Sequence, residues 1–182
     1  MNRRILTLAA AALVTVALAG CTADPLAEQY ADGSEQGYIS GDGAYTEIPA
    51  GDRGEAIVYT GTTEAGDEVS STDFANQVYV VNFWYAGCAP CRVEAKDLKE
   101  VSEEYADVPF LGVNIFDTAE NAITFEKKYG ITYPSVIDAQ TNAVPVTLIM
   151  DREGRVAGRI SGLIQDKGIL TAMIDTVLAE DD

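Results

Sequence analysis

The sequence predicts an α/β fold, a central mixed β-sheet flanked by helices with an extra N-terminal β-hairpin. Three observations carry this. Residues 78–84 and 109–115, "VYVVNFW" and "PFLGVNI", are apolar runs of strand length joined by a stretch with helical spacing. Residues 146–150 and 155–160 are two further strand runs around the turn "DREG". The chain then closes on an amphipathic helix over residues 166–178.

Each element has its own reason. Residues 56–59 and 68–70, with a turn near 65–67, read as the hairpin. Val78 to Trp84 is nearly all β-branched or aromatic, the pattern of a central strand buried on both faces. A helix is expected from Cys88 to about Tyr105. With the strand at 109–115 it makes a right-handed parallel βαβ unit. Thr118 can cap a second helix that runs to about Lys128 and stops at Gly130. Residues 134–137 are extended. In the closing helix Ile169, Leu170, Met173, Ile174, Val177 and Leu178 lie on one side. Hairpin, βαβ, helix, ββ, helix is the order of a thioredoxin-like sandwich.

Upstream, the composition changes. Two arginines near Met1, an uncharged stretch over residues 5–19 and small residues before Cys21 have the form of an export signal over residues 1–20. Fifteen uncharged residues are too few for a comfortable membrane span. Residues 21–55 are rich in Gly, Ser, Asp and Glu and read as a flexible acidic linker, part of which near Tyr45 and Pro49 packs on the domain. Such a linker has a root-mean-square reach of roughly 30–35 Å. The domain proper is expected over residues 56–182.

The 182 residues carry 12 basic and 29 acidic side chains, a net charge of −17. Loss of residues 1–20, with two arginines and no acid, takes it to −19. Phosphate binding needs clustered Lys and Arg, so no nucleic-acid partner is expected. The chain has three cysteines and no histidine.

Cys88 and Cys91 sit where a buried strand becomes a helix. Positions i and i+3 of a helical turn are neighbours, which brings the sulfurs within disulfide reach. Pro90 is tolerated because early helical N–H groups have no internal partner. Cys88 feels the positive end of the helix dipole and is the natural attacking thiol, and Cys91 would resolve the mixed disulfide. At about 100° per residue, Cys91, Glu94, Leu98, Val101 and Tyr105 share a stripe about 80° wide. A carboxyl on that stripe should have a raised pKa, which suits Glu94 to exchange a proton with Cys91. Zinc needs further ligands that are missing, so no metal and no dissociable cofactor is expected. A structural disulfide over so short a loop adds little stability by chain entropy. A non-catalytic lipoprotein module braced by the CxxC and a thiol peroxidase are the alternatives. Pro145 stands at the start of a strand, where no ladder N–H is needed. On the residues alone its peptide bond is more often trans.

"LAGC" at residues 18–21 resembles the lipobox of bacterial lipoproteins, which implies lipidation of Cys21 and anchoring in the bilayer. "VVNFWYAGCAPCRVEAKDL", "YGITYPSVID" and "VPVTLIMDREGRVAGRISG" together resemble the TlpA/ResA-like branch of extracytoplasmic thioredoxin-like proteins. The likeness covers roughly residues 55–180. It implies a thiol–disulfide oxidoreductase at the outer face of the bacterial cell membrane. Its reductant would be a membrane thiol-electron transporter, and its targets disulfide-containing exported proteins such as apocytochrome c. It also implies a cis bond before Pro145 and a substrate surface made by Val144, Pro145, Trp84 and Tyr85. The family glutamate falls on Glu94, and the buried aspartate of ordinary thioredoxins is here Asn82. One departure is Gly87, where the family has Trp. Loss of that indole is expected to widen or flatten the docking surface.

Overall fold

The computed structural model describes residues 45–137 and 144–181. The expected export signal, Cys21 and most of the linker lie outside the described residues. The strands are β1 (Tyr45–Glu47), β2 (Thr60–Thr62), β3 (Glu68–Ser70), β4 (Tyr79–Trp84), β5 (Phe110–Asn114), β6 (Ser135–Ile137), β7 (Val146–Met150) and β8 (Val156–Ser161). The helices are α1 (Ala89–Glu104), α2 (Ala119–Tyr129) and α3 (Lys167–Leu178). Six strands form one mixed sheet in the order β1-β8-β7-β4-β5-β6, and β2-β3 form a separate pair. Among the described residues no helix is long and apolar enough to cross a membrane.

The period of two in β4 assigns its neighbours. Val78 and Val80 turn to the face covered by α1 and α3, where they meet Leu98, Val101, Ile149, Ile160, Leu170 and Ile174. Tyr79 and Val81 turn to the other face, with Phe74, Leu111 and Met150, under Tyr59 and Val69 of the hairpin region. That second face is only partly covered, and Phe83, Val113 and Leu148 stay half-buried there. A third cluster gathers Trp84, both cysteines, Ala95, Ala122 and Phe125.

The helix ends follow their capping residues. Thr118 caps α2 through a bond from the Asn121 N–H, and Gly130 ends it in the left-handed region at φ 71°. Asp166 caps α3 by accepting from the Gly168 N–H. Between β7 and β8, Asp151 Oδ1 accepts the N–H groups of Glu153 and Arg155.

One expectation is corrected. The first hairpin arm is Thr60–Thr62 rather than residues 56–59. The turn closes through Thr63 N–H to the Asp67 carbonyl, so the arm facing Glu68–Ser70 must directly precede it. Gly61 weakens strand propensity there, yet a Cβ on it would come 2.5 Å from a methyl of Val136. Ahead of residue 56, part of the chain packs on the sheet. β1 pairs antiparallel with β8, with Tyr45 opposite Ile160. Arg53, whose side chain is only 2% exposed, bonds Asp151 at 3.0 Å, the Ile48 carbonyl at 2.9 Å and Glu180. A three-residue edge strand with every side chain exposed carries no alternation to read.

Candidate active site

Cys88 is the N-cap of α1, and Cys91 lies inside its first turn. The two are joined as a disulfide with Cα atoms 5.3 Å apart. The Cys91 N–H donates to Cys88 Sγ at 3.1 Å, so the sulfur takes the place of an N-cap oxygen. Cys88 is 4% exposed and Cys91 is deeper still.

One turn beyond Cys91, Glu94 is 1% exposed. Its Oε1 accepts from Asn82 Nδ2 at 3.2 Å and its Oε2 from the Ile164 N–H at 3.1 Å. Asn82 also donates to Thr147 Oγ1 at 3.0 Å. Burial pushes the Glu94 pKa up to about 7, against these two hydrogen bonds and with a small push from Asp97. A crevice with room for about one water lies among Asn82, Trp84, Cys91 and Tyr133.

The remaining expected site residues divide. The Val144–Pro145 bond is cis. The register sets Val146 opposite Phe83, which places Pro145 at the end of β4 from which the CxxC loop leaves. Val144 is half-buried, and the Pro145 carbonyl accepts the Gly162 N–H. Trp84, one of the residues expected in substrate binding, is buried, 4% exposed. It shares the helix-covered face with Val80 and Asn82. Its ring packs on Phe125 at 4.4 Å, and its Nε1 donates to Ser135 Oγ at 3.2 Å. Tyr85 stays half-buried at the rim. Its ring lies over Gly87, where a Cβ would meet Tyr85 Cε2 at 3.0 Å. Gly87 itself stays exposed beside that ring.

Several participants were not read from the sequence. Thr147, Ser135 and Ile164 contribute through sheet register and a distant loop. Glu126 is a second buried carboxyl, pushed up to about 7 by burial and by Glu64, against a hydrogen bond with Ser135. The signal for it existed, since Glu126 follows Ala122 by one helical turn on the buried side of α2.

The fold and the site together define a thioredoxin-like protein with a CxxC disulfide at a helix N-terminus. The chain belongs to the AhpC/TSA family, whose model matches residues 53–173. It is 32% identical to the thiol:disulfide interchange protein HelX of Rhodobacter capsulatus, over 57% of this chain and 62% of that one. It is 30% identical to the thiol-disulfide oxidoreductase ResA of Geobacillus thermodenitrificans, over 57% of this chain and 66% of that one. The chain therefore spans just under two thirds of the length of these curated relatives. Among solved structures it is similar to a DsbF homologue from Corynebacterium diphtheriae. That match has 30% identity and a TM-score of 0.65, over 79% of this chain and 99% of the other.

Proposed function

We propose that the chain is an extracytoplasmic thiol–disulfide oxidoreductase that reduces disulfides in exported proteins, as in cytochrome c maturation, and is held at the membrane through a lipidated Cys21. The Cys88–Cys91 bond at the tip of α1, with the Cys91 N–H on Cys88 Sγ, carries the exchange chemistry. A negative sulfur there is favoured by that N–H and by the positive end of the helix dipole. The names of the relatives support the same chemistry, and "LAGC" supports the anchor.

In the reduced protein the Cys88 thiolate attacks one sulfur of a partner disulfide. A bond forms between Cys88 and that sulfur, and the other partner sulfur leaves as thiolate and takes a proton. The Cys91 thiol then gives its proton to Glu94 and attacks Cys88 Sγ. The Cys88–Cys91 disulfide reforms and the second partner sulfur leaves, to be protonated in turn. Two electrons have passed to the partner. A dithiol donor returns the protein to its starting state by the reverse exchange, and this is the role of a membrane thiol-electron transporter. No dissociable cofactor enters the cycle.

Turbidimetric reduction of insulin tests the reading. Wild type should be active and Cys88→Ser inactive, while Cys91→Ser should accumulate partners covalently held on Cys88. A Cys88→Ser variant reducing insulin at the wild-type rate removes the proposal. A potential below about −300 mV with no exchange favours a structural disulfide in a binding module.

A further inference from the structure

The rim of the disulfide carries a built aromatic surface. Phe116, on the loop after β5, meets Tyr85 edge to face with ring centroids 5.1 Å apart and planes at 83°. Tyr85 in turn lies against Gly87, the residue before Cys88. Phe116 is nonetheless 60% exposed.

Its loop is held firmly to the CxxC loop. Asp117 Oδ2 accepts the Ala86 N–H at 2.6 Å and Asn114 Nδ2 at 2.8 Å. Asn114 Oδ1 accepts the N–H groups of Phe116 at 3.3 Å and Asp117 at 2.8 Å. One aspartate thus ties the two loops together, and a large apolar ring is presented to solvent at a fixed position next to the cysteine pair. Cys88 itself is almost covered. Tyr85, on which Phe116 packs, borders the cluster that holds Cys88 and Cys91, so a chain that reaches the sulfur comes close to the ring.

We propose that Phe116, braced by Tyr85, docks the polypeptide whose disulfide Cys88 attacks, and that it selects segments with an apolar side chain beside the exchanging cysteine. The proposal rests on the thiol-exchange reading above and names the chemistry of the segment that site accepts. Its occupant is an extended stretch of an oxidised partner chain, because contact with Cys88 and contact with Phe116 belong to one approach. A flexible aliphatic or aromatic neighbour of the partner cysteine covers the exposed ring, and a small polar one leaves it wet.

The test uses the full chain, reduced with dithiothreitol and desalted, in single turnovers. The probes are two peptides, each with one cysteine in mixed disulfide with 5-thio-2-nitrobenzoate, differing only in a Leu or a Ser before that cysteine. Attack on the peptide sulfur releases the coloured thiolate. Wild type should react faster with the Leu peptide by about 5- to 10-fold, the scale of one apolar contact. Phe116→Ala should bring that ratio close to one, and Phe116→Tyr should keep most of it. Phe116→Gln, polar but of similar bulk, carries the same expectation if the alanine variant does not fold. The ratio compares two substrates on one protein, so general loosening of the loop does not move it. A wild-type ratio near one, or a ratio preserved in Phe116→Ala, overturns the proposal alone. Failure of wild type to reduce 2-hydroxyethyl disulfide overturns the exchange reading and this proposal with it.

Discussion

The backbone N–H of Ile164 donates to Glu94 across 70 residues of sequence, at 3.1 Å. That bond, with the one from Asn82, is what a buried carboxylate needs if it is to ionise behind the disulfide at all. Glu94 is therefore poised between its two forms near neutral pH.

Glu94→Gln should slow the second half of exchange, in which Cys91 must lose its proton. The first attack by Cys88 should be affected far less. The loss should be about 10²-fold, the lower end of general acid–base effects. It is measured as the rate at which a preformed Cys88 mixed disulfide resolves across pH 5 to 9. Wild type should show a transition near 7 that the variant lacks.

The same carboxyl makes stability depend on pH. Its folded pKa, about 7, lies above the usual 4.5, so the folded state binds more protons between these values. Stability should therefore fall as pH rises from about 4.5 to about 7 and then level off. Glu126 adds a fall of the same sign. Removing the Glu94 contribution with Glu94→Gln should stabilise the protein at pH 8 by up to about 3 kcal/mol. Urea melts at pH 5 and pH 8 check this, and a wild type more stable at pH 8 from these groups would contradict the sign.

Gly112→Ala should be among the most harmful single-methyl additions in the chain. A Cβ there would lie 2.1 Å from Ser135 Oγ and 2.8 Å from Trp84 Nε1, inside the bond that ties the indole to β6. The expected loss is about 3 kcal/mol, from overpacking together with a broken buried hydrogen bond. Trp84 is the only tryptophan, so its fluorescence should shift as the indole is displaced.

Arg53→Ala should loosen the segment from β1 to the hairpin. The guanidinium is nearly fully buried and joins Ile48, Asp151 and Glu180. Asp151 keeps Arg155 as a second partner at 2.8 Å, so the loss should be about 1.5–3 kcal/mol. Amide exchange should rise at Ile48, whose N–H bonds the Ala157 carbonyl, before it rises in β4.

The elements with a strong period were legible. β4, β7 and the three helices stand within a residue or two of their expected limits because burial pattern and caps act over a single turn or strand. The hairpin arm at Thr60–Thr62 is not legible locally because Gly61 answers to a methyl of Val136, 75 positions away. Trp84 ends the run expected to be buried on both faces, and its inward place follows from the period of two through Val80 and Asn82.

By itself the sequence determined the sheet-and-helix order, the cysteine pair at a helix tip and a carboxyl on the buried stripe below it, since these depend on spacing along one element. Only the tertiary structure decided that Asn82 and Ile164 hold Glu94, that Tyr85 lies against Gly87, that Asp117 ties the Phe116 loop to the CxxC loop, and that β1 completes the sheet edge. Those relationships join residues far apart in the chain. They exist only once strand register and loop closure have brought their backbones together, and no local period encodes that.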